Sequence, residues 1–135
     1  MSIDLFRSVN LLQKGLQASQ LRHDVIANNI ANVDTPGFKT SHVEFENLMQ
    51  DALQEDGFVG RQTREGHFAI GSAADAQDVQ PLVVADKDTT MRMDQNNVDI
   101  DQQMSELAKN QIYYDTLVRQ ISGELNRLKM AIEGK

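Results

Sequence analysis

Cysteine is absent from this 135-residue chain. Without thiols there is no disulfide and no thiolate metal site, although a cysteine-free chain suits any redox compartment. Tryptophan is absent too, and aromatic residues make up only 5%, so a core has to rest on Leu, Ile, Val and Met. No stretch reaches the roughly 18 consecutive apolar residues of a membrane-spanning helix. Basic residues are in the minority: 13 Lys and Arg against 20 Asp and Glu leave a net charge of -7. Such a chain repels phosphate backbones, and its few cations form no stripe, so nucleic acid is not an expected partner. The same acidity keeps a free subunit soluble. The first 15 residues lack a basic segment followed by an unbroken apolar run, so no cleaved secretory signal is expected. Composition alone therefore defaults to a cytoplasmic protein of one domain.

What is present is helical period at both ends. Leu5, Val9, Leu12, Leu16, Ser19, His23, Ile26, Ile30 and Val33 follow alternating steps of four and three. That spacing holds one stripe toward one partner as a helix turns. At the other end Ile100, Met104, Leu107, Gln111, Tyr114, Val118, Ile121, Leu125, Leu128 and Ile132 repeat the steps. Asp99 is placed to cap this second helix, with Gln102 three residues on. The expected fold is mainly α. Long N- and C-terminal helices pack as an antiparallel pair or coiled coil, with a short third helix and an irregular middle with room for short strands. The division is a helix over residues 1–34, a turn and short helix over 35–56, a flexible or short-strand middle over 57–94 and a helix over 95–133. One seam between two helices buries little, whereas ordering each residue's backbone costs about 1–2 kcal/mol. The expected monomer is marginal, and its helices complete their burial between subunits. A plain helical hairpin that dimerises fits the seam equally well.

The first helix runs into Asn32-Val33-Asp34-Thr35-Pro36-Gly37-Phe38. Pro36 cannot continue a helix, and Pro-Gly fits the central positions of a type II turn. Ser41 and Glu44 read as a capping box for a short helix lined by Phe45, Leu48, Met49, Ala52 and Leu53 and ending before Gly57. Between 57 and 92, glycines at 57, 60, 66 and 71 separate small apolar groups, Phe58-Val59, Phe68-Ala69-Ile70 and Leu82-Val83-Val84. Short strands or loops suit this stretch, and it is expected to be the most mobile part of the free subunit.

Little in the sequence points to chemistry. The histidines, His23, His42 and His67, form no H-E-x-x-H motif. His42, Glu44 and Glu46 alternate like metal ligands, but such a pattern is far more often a solvated surface. His23 lies on the helix seam and reads as a packed or interface residue. The run Asp94–Asp99 resembles a calcium loop but lacks its glycine and its final glutamate. No nucleophile elbow, P-loop or dinucleotide fingerprint is present. The expectation is no enzyme, no cofactor and no metal. Asn28 and Asn29 are harder to place, because asparagine is a poor interior helix former. Their amides can bond across a subunit boundary, or they can mark a fraying last turn.

Val25 through Lys39, which contains Asn28, Asn29, Asn32, Asp34, Thr35, Pro36, Gly37 and Phe38, closely resembles the N-terminal signature of flagellar rod and hook proteins. Asn97–Asp101 and Met104–Tyr114 are similar to the family's C-terminal region. The resemblance covers roughly residues 5–50 and 95–133, and the short chain resembles a proximal rod subunit, with a sibling proximal rod subunit or, more remotely, a cytoplasmic coiled-coil adaptor as alternatives. It implies polymerisation through helix seams (Leu5, Val9, Leu12, Leu16, Ile26, Ile30, Met104, Leu107, Tyr114, Val118, Ile121, Leu125, Leu128), with Asn28, Asn29 and Asn32 knitting one end to neighbours. It implies other rod subunits, further copies, a FliE-type adaptor and the membrane ring as partners. It also implies passage through the flagellar type III export apparatus to a rod outside the cytoplasmic membrane, replacing the cytoplasmic default. Phe45 and Met49 have the Phe-x-x-x-apolar spacing attributed to early export substrates.

Overall fold

Two long helices dominate the computed structural model, which describes residues 2–54, 79–86, 93 and 95–134, with side chains left out at 2–7 and 51–54. Helix α1 spans Ser2–Ala31 and α3 spans Ile100–Glu133. Between them lie strand β1 (Ser41–Glu44), helix α2 (Glu46–Gln54) and strand β2 (Leu82–Ala85). The long helices run antiparallel: Asn29 of α1 meets Gln103 near the start of α3, Ser19 meets Asn110, and Gly15 meets Leu117. The mainly α fold with an antiparallel terminal pair is as expected.

The helix ends follow local chemistry. Asp99 Oδ1 accepts from the backbone N–H groups of Asp101 (3.0 Å) and Gln102 (3.2 Å), the expected cap. At the far end Gly134 turns left-handed (φ 66°) and its N–H reaches Met130 O at 3.1 Å. After α1, the Phe38 N–H closes onto Thr35 O (3.3 Å) with Gly37 at φ 71°. Pro36 and Gly37 thus occupy the central positions of the expected type II turn. A Cβ at Gly37 would meet nothing within 4 Å, so Gly37→Ala should cost only its backbone strain, about 1 kcal/mol or slightly more. Chemical denaturation would check this, with an unchanged m-value.

One local reading is corrected. Ser41–Glu44 is strand, not a helix cap: it pairs antiparallel with β2 in the register Ser41↔Ala85, Val43↔Val83. The pattern Ser-x-x-Glu suits a cap, but the ladder to a segment some 40 residues away satisfies the backbone instead. Helix α2 therefore begins at Glu46. Leu82-Val83-Val84 forms a strand as its composition suggests, whereas Phe58-Val59, Phe68-Ala69-Ile70, His67 and the glycines at 57, 60, 66 and 71 lie outside the described residues. The core sits on one side of α1, where Ala18, Val43, Phe45, Met49 and Val79 are buried and Leu21, Val25 and Leu48 pack around them.

Candidate assembly interface

The end of α1 is held by three asparagines and a turn. Asn29, 1% exposed, uses its side chain as a strand would. Its Oδ1 accepts from Ser41 N (3.1 Å) and its Nδ2 donates to Ser41 O (2.8 Å) and to Gln103 Oε1 (2.9 Å). One amide thereby ties α1, β1 and α3. Asn96, fully buried, donates to the carbonyls of Asn32 (3.1 Å), Val33 (3.0 Å) and Thr35 (2.8 Å), and its Oδ1 accepts from Val98 N at 2.7 Å. These three carbonyls belong to the turn that follows α1, and Asn96 pins that turn from a distant part of the chain. Asn97 accepts from Thr40 N (2.7 Å) and donates to Asp86 O (3.1 Å). Asn28 is exposed, while Asn32 bonds back to Asn28 O (2.8 Å) and accepts from Thr35 Oγ1 (3.2 Å). For Asn29, neither a bond across a subunit boundary nor a fraying last turn describes the folded subunit: its amide is bonded within its own chain, to Ser41 and Gln103.

A second polar contact fixes how far the long helices slide. Ser19 Oγ donates to Asn110 Oδ1, and Asn110 Nδ2 returns to Ser19 O, both at 2.9 Å and buried. Sliding either helix by one turn would leave both groups buried and unpaired, which is costly. Nearby, Arg22 Nη2 reaches both carboxylate oxygens of Glu46 (2.9 and 2.6 Å). Burial, and then the Glu46 carboxylate, push the Tyr113 phenol above its ordinary 10.0, with Arg22 opposing.

The contact with α1 takes one edge of the apolar stripe of α3 and leaves the other edge facing outward. Within the subunit the buried positions of α3 are Asn110, Leu117 and Glu124. Each is the residue just before a predicted stripe position, a rotation of about 100° round a helix. Leu107, Tyr114, Ile121 and Leu128 are half-buried on the shoulder of the contact, while Met104 (54%), Val118 (38%) and Leu125 (52%) face outward. On α1 Ile26 is buried; Val9, Leu12, Leu16 and Ile30 are half-buried; His23 is exposed; and Leu5 lies outside the described side chains. A shallow depression lined by Gln20, His23, Gln111 and Tyr114 shows that the two outward flanks share one side of the molecule. Steps of seven along a helix return to nearly the same face, which puts Met104, Val118 and Leu125 in line with Gln111, and the half-covered Val9, Leu16 and Ile30 in line with His23. α2 and the strand pair occupy other faces. Asp34, Thr35, Pro36 and Gly37 are exposed at the turn, and Phe38 is half-buried beside them. Phe45 (4% exposed) and Met49 (7%) are core residues of the folded subunit.

The chain is 35% identical over 127 residues to "Flagellar basal body rod protein FlgB" of Bacillus subtilis, covering 94% of each chain. It is 33% identical to the FlgB protein of Aeromonas hydrophila over 100% of this chain and 99% of that one, and 31% identical to that of Aquifex aeolicus over 98% of both. The chain belongs to the FlgB family of flagellar basal body rod proteins. The family model described as "Flagella basal body rod protein" matches residues 10–39, most of α1 and the turn after it. Asn96 and Asn110, which bond to that segment, and Asn97, which bonds to Thr40 just after it, lie outside the match. Resemblance to the family's C-terminal region takes in Asn97 and Asn110 without showing what they bond, because each of the three asparagines acts on a partner 57 or more residues away.

Proposed function

We propose that this chain is a structural subunit of the proximal rod of the bacterial flagellar basal body, polymerising through α1 and α3 to carry torque from motor to hook. Beyond family membership, the observation that supports this is the outward apolar side of α3. A helix hairpin built to remain free in solution would turn Met104, Val118 and Leu125 inward, since soluble monomers rarely leave a run of large apolar residues uncovered. Neighbouring subunits in a tube supply the cover. The seam is then completed by Leu5, Val9, Leu12, Leu16 and Ile30 on α1, with Ile26 buried behind them in its own subunit, and by Met104, Leu107, Tyr114, Val118, Ile121, Leu125 and Leu128 on α3. Asn28, exposed at the end of α1, is the signature asparagine free to reach a neighbour. Load is shared among many side-chain contacts, and no catalytic step, cofactor or metal enters. The partners are further copies, other rod subunits, a FliE-type adaptor and the membrane ring.

The subunit reaches the rod, outside the cytoplasmic membrane, through the flagellar type III export apparatus without a cleaved signal. If Phe45 and Met49 are read by that apparatus, they are read before folding, because folding buries both. Secretion assayed in cells with and without a functional export gate tests the reading. The protein should appear outside the cell only when the gate works, and at its full length. Equal retention in the cytoplasm in both strains, as a stable soluble dimer, would favour a cytoplasmic adaptor instead.

A further inference from the structure

The outward rows of the two long helices are each interrupted once, and at the same level. On α1 the row runs Val9, Leu16, His23, Ile30; on α3 it runs Met104, Gln111, Val118, Leu125. His23 and Gln111 are both exposed, and together they line a depression of about 220 Å³ that Ser19 and Asn110 also line from beneath. Ser19 and Asn110 are already bonded to each other, so one polar layer crosses the hairpin here, with apolar positions of both rows on either side of it. The outer pair is not satisfied in the same way. Gln111 Nε2 donates to Asp115 Oδ1 (3.3 Å), and among the described residues nothing bonds its carbonyl oxygen. The nearest ionic group to His23 is Asp24, at 3.7 Å, too far for a hydrogen bond.

A row of apolar residues repeating every seven positions presents the same surface after a slide of seven residues, about 10 Å along a helix. Apolar contact alone therefore leaves the axial position of a covering subunit undecided. A polar layer removes that degeneracy. Once covered, the His23 imidazole and the Gln111 carbonyl each need a hydrogen-bond partner, and leaving them unpaired is costly. A single polar position in an apolar helix seam fixes register in this way, at some expense of stability. We propose that His23 and Gln111 set the axial register of the neighbouring rod subunit on the apolar side, by taking a hydrogen-bond-donating side chain of that subunit into the depression between them. Asp24 and Asp115 stand beside the pair, so the incoming group is an amide, a hydroxyl or a cation and not a carboxylate. The inference rests on the rod-subunit reading for the presence of a neighbour, and adds what selects its position. The buried Ser19–Asn110 pair holds the two helices of one subunit in register; the exposed pair does the same between subunits.

The double variant His23→Leu/Gln111→Leu makes both rows continuously apolar. Both side chains are exposed, and Leu is a good helix former, so the free subunit should keep its helicity. Association and assembly should then move in opposite directions. In sedimentation experiments the purified variant should self-associate at least tenfold more tightly than wild type, in species of mixed size. The amount entering basal bodies should fall at least tenfold. His23→Gln, which keeps a hydrogen-bonding group, should assemble within threefold of wild type. A seam without register residues would gain from the added apolar surface, so assembly of the double Leu variant at or above the wild-type amount would overturn the proposal. So would loss of assembly without tighter self-association, the result expected of simple damage. Both outcomes leave the rod-subunit reading standing; that reading fails instead if Leu125→Asp subunits enter basal bodies in normal amounts.

Discussion

Asn96→Ala should unfold a large fraction of the protein's stability, on the order of 2–4 kcal/mol. The substitution strips Val98 N–H of its acceptor and removes the donor shared by the carbonyls of Asn32, Val33 and Thr35. The site is fully buried, so water does not replace the lost bonds without opening the turn. Asn96→Asp separates the two halves of the amide. It restores the acceptor for Val98 but aims a carboxylate at three carbonyl oxygens. Burial and those oxygens raise its pKa above the unfolded carboxylate value near 3.9. Relative to wild type, the Asp variant should therefore lose most stability at neutral pH and recover as pH falls through the raised folded value. Denaturant titrations of all three proteins between about pH 4 and 7 would measure it. A loss below about 0.5 kcal/mol for Asn96→Ala would mean that the clasp holds nothing.

The second large effect separates folding from assembly along a single helix. Leu117 is 8% exposed and packs against Gly15, whereas Leu125 is 52% exposed two turns later. Leu117→Asp removes a core side chain and buries a charge, a combination at the extreme end of single-site effects at about 4 kcal/mol or more. The variant should show lost helicity. Leu125→Asp should change the free subunit's stability by no more than about 0.5 kcal/mol, yet abolish rod assembly and motility. Circular dichroism of the purified variants and a swimming assay of cells carrying them distinguish the two outcomes. If both variants unfold the subunit, the outward side of α3 belongs to the monomer's own core. If Leu125→Asp cells swim normally, that side is not covered by a neighbour.

Much of the architecture was legible because it is local. The steps of three and four mark both long helices, Asp99 marks the start of α3, and Pro36-Gly37 marks the turn. Each of these features acts within a few residues of itself. What failed to show was decided at long range. Ser41–Glu44 carries a capping pattern but pairs with residues 82–85, and nothing near it announces the partner. Asn29 stood out as unsuited to a helix interior, yet its real partners, Ser41 and Gln103, are 12 and 74 residues away. Periodicity also located the apolar stripe of α3 without showing which edge of it α1 would take. The contact settled one residue to the side, where Ser19 and Asn110 could bond and Gly15 could admit Leu117. That offset leaves the stripe's other edge available to a neighbour.

The account as a whole depends on what lies against that edge in the assembled structure. An electron-microscopy map of the basal body, at a resolution that places side chains, gives the answer directly. Met104, Val118 and Leu125 should each be in contact with side chains of adjacent subunits, with Asn29 and Asn96 still bonded inside their own. A map in which those three residues of α3 face solvent in the finished rod would contradict it.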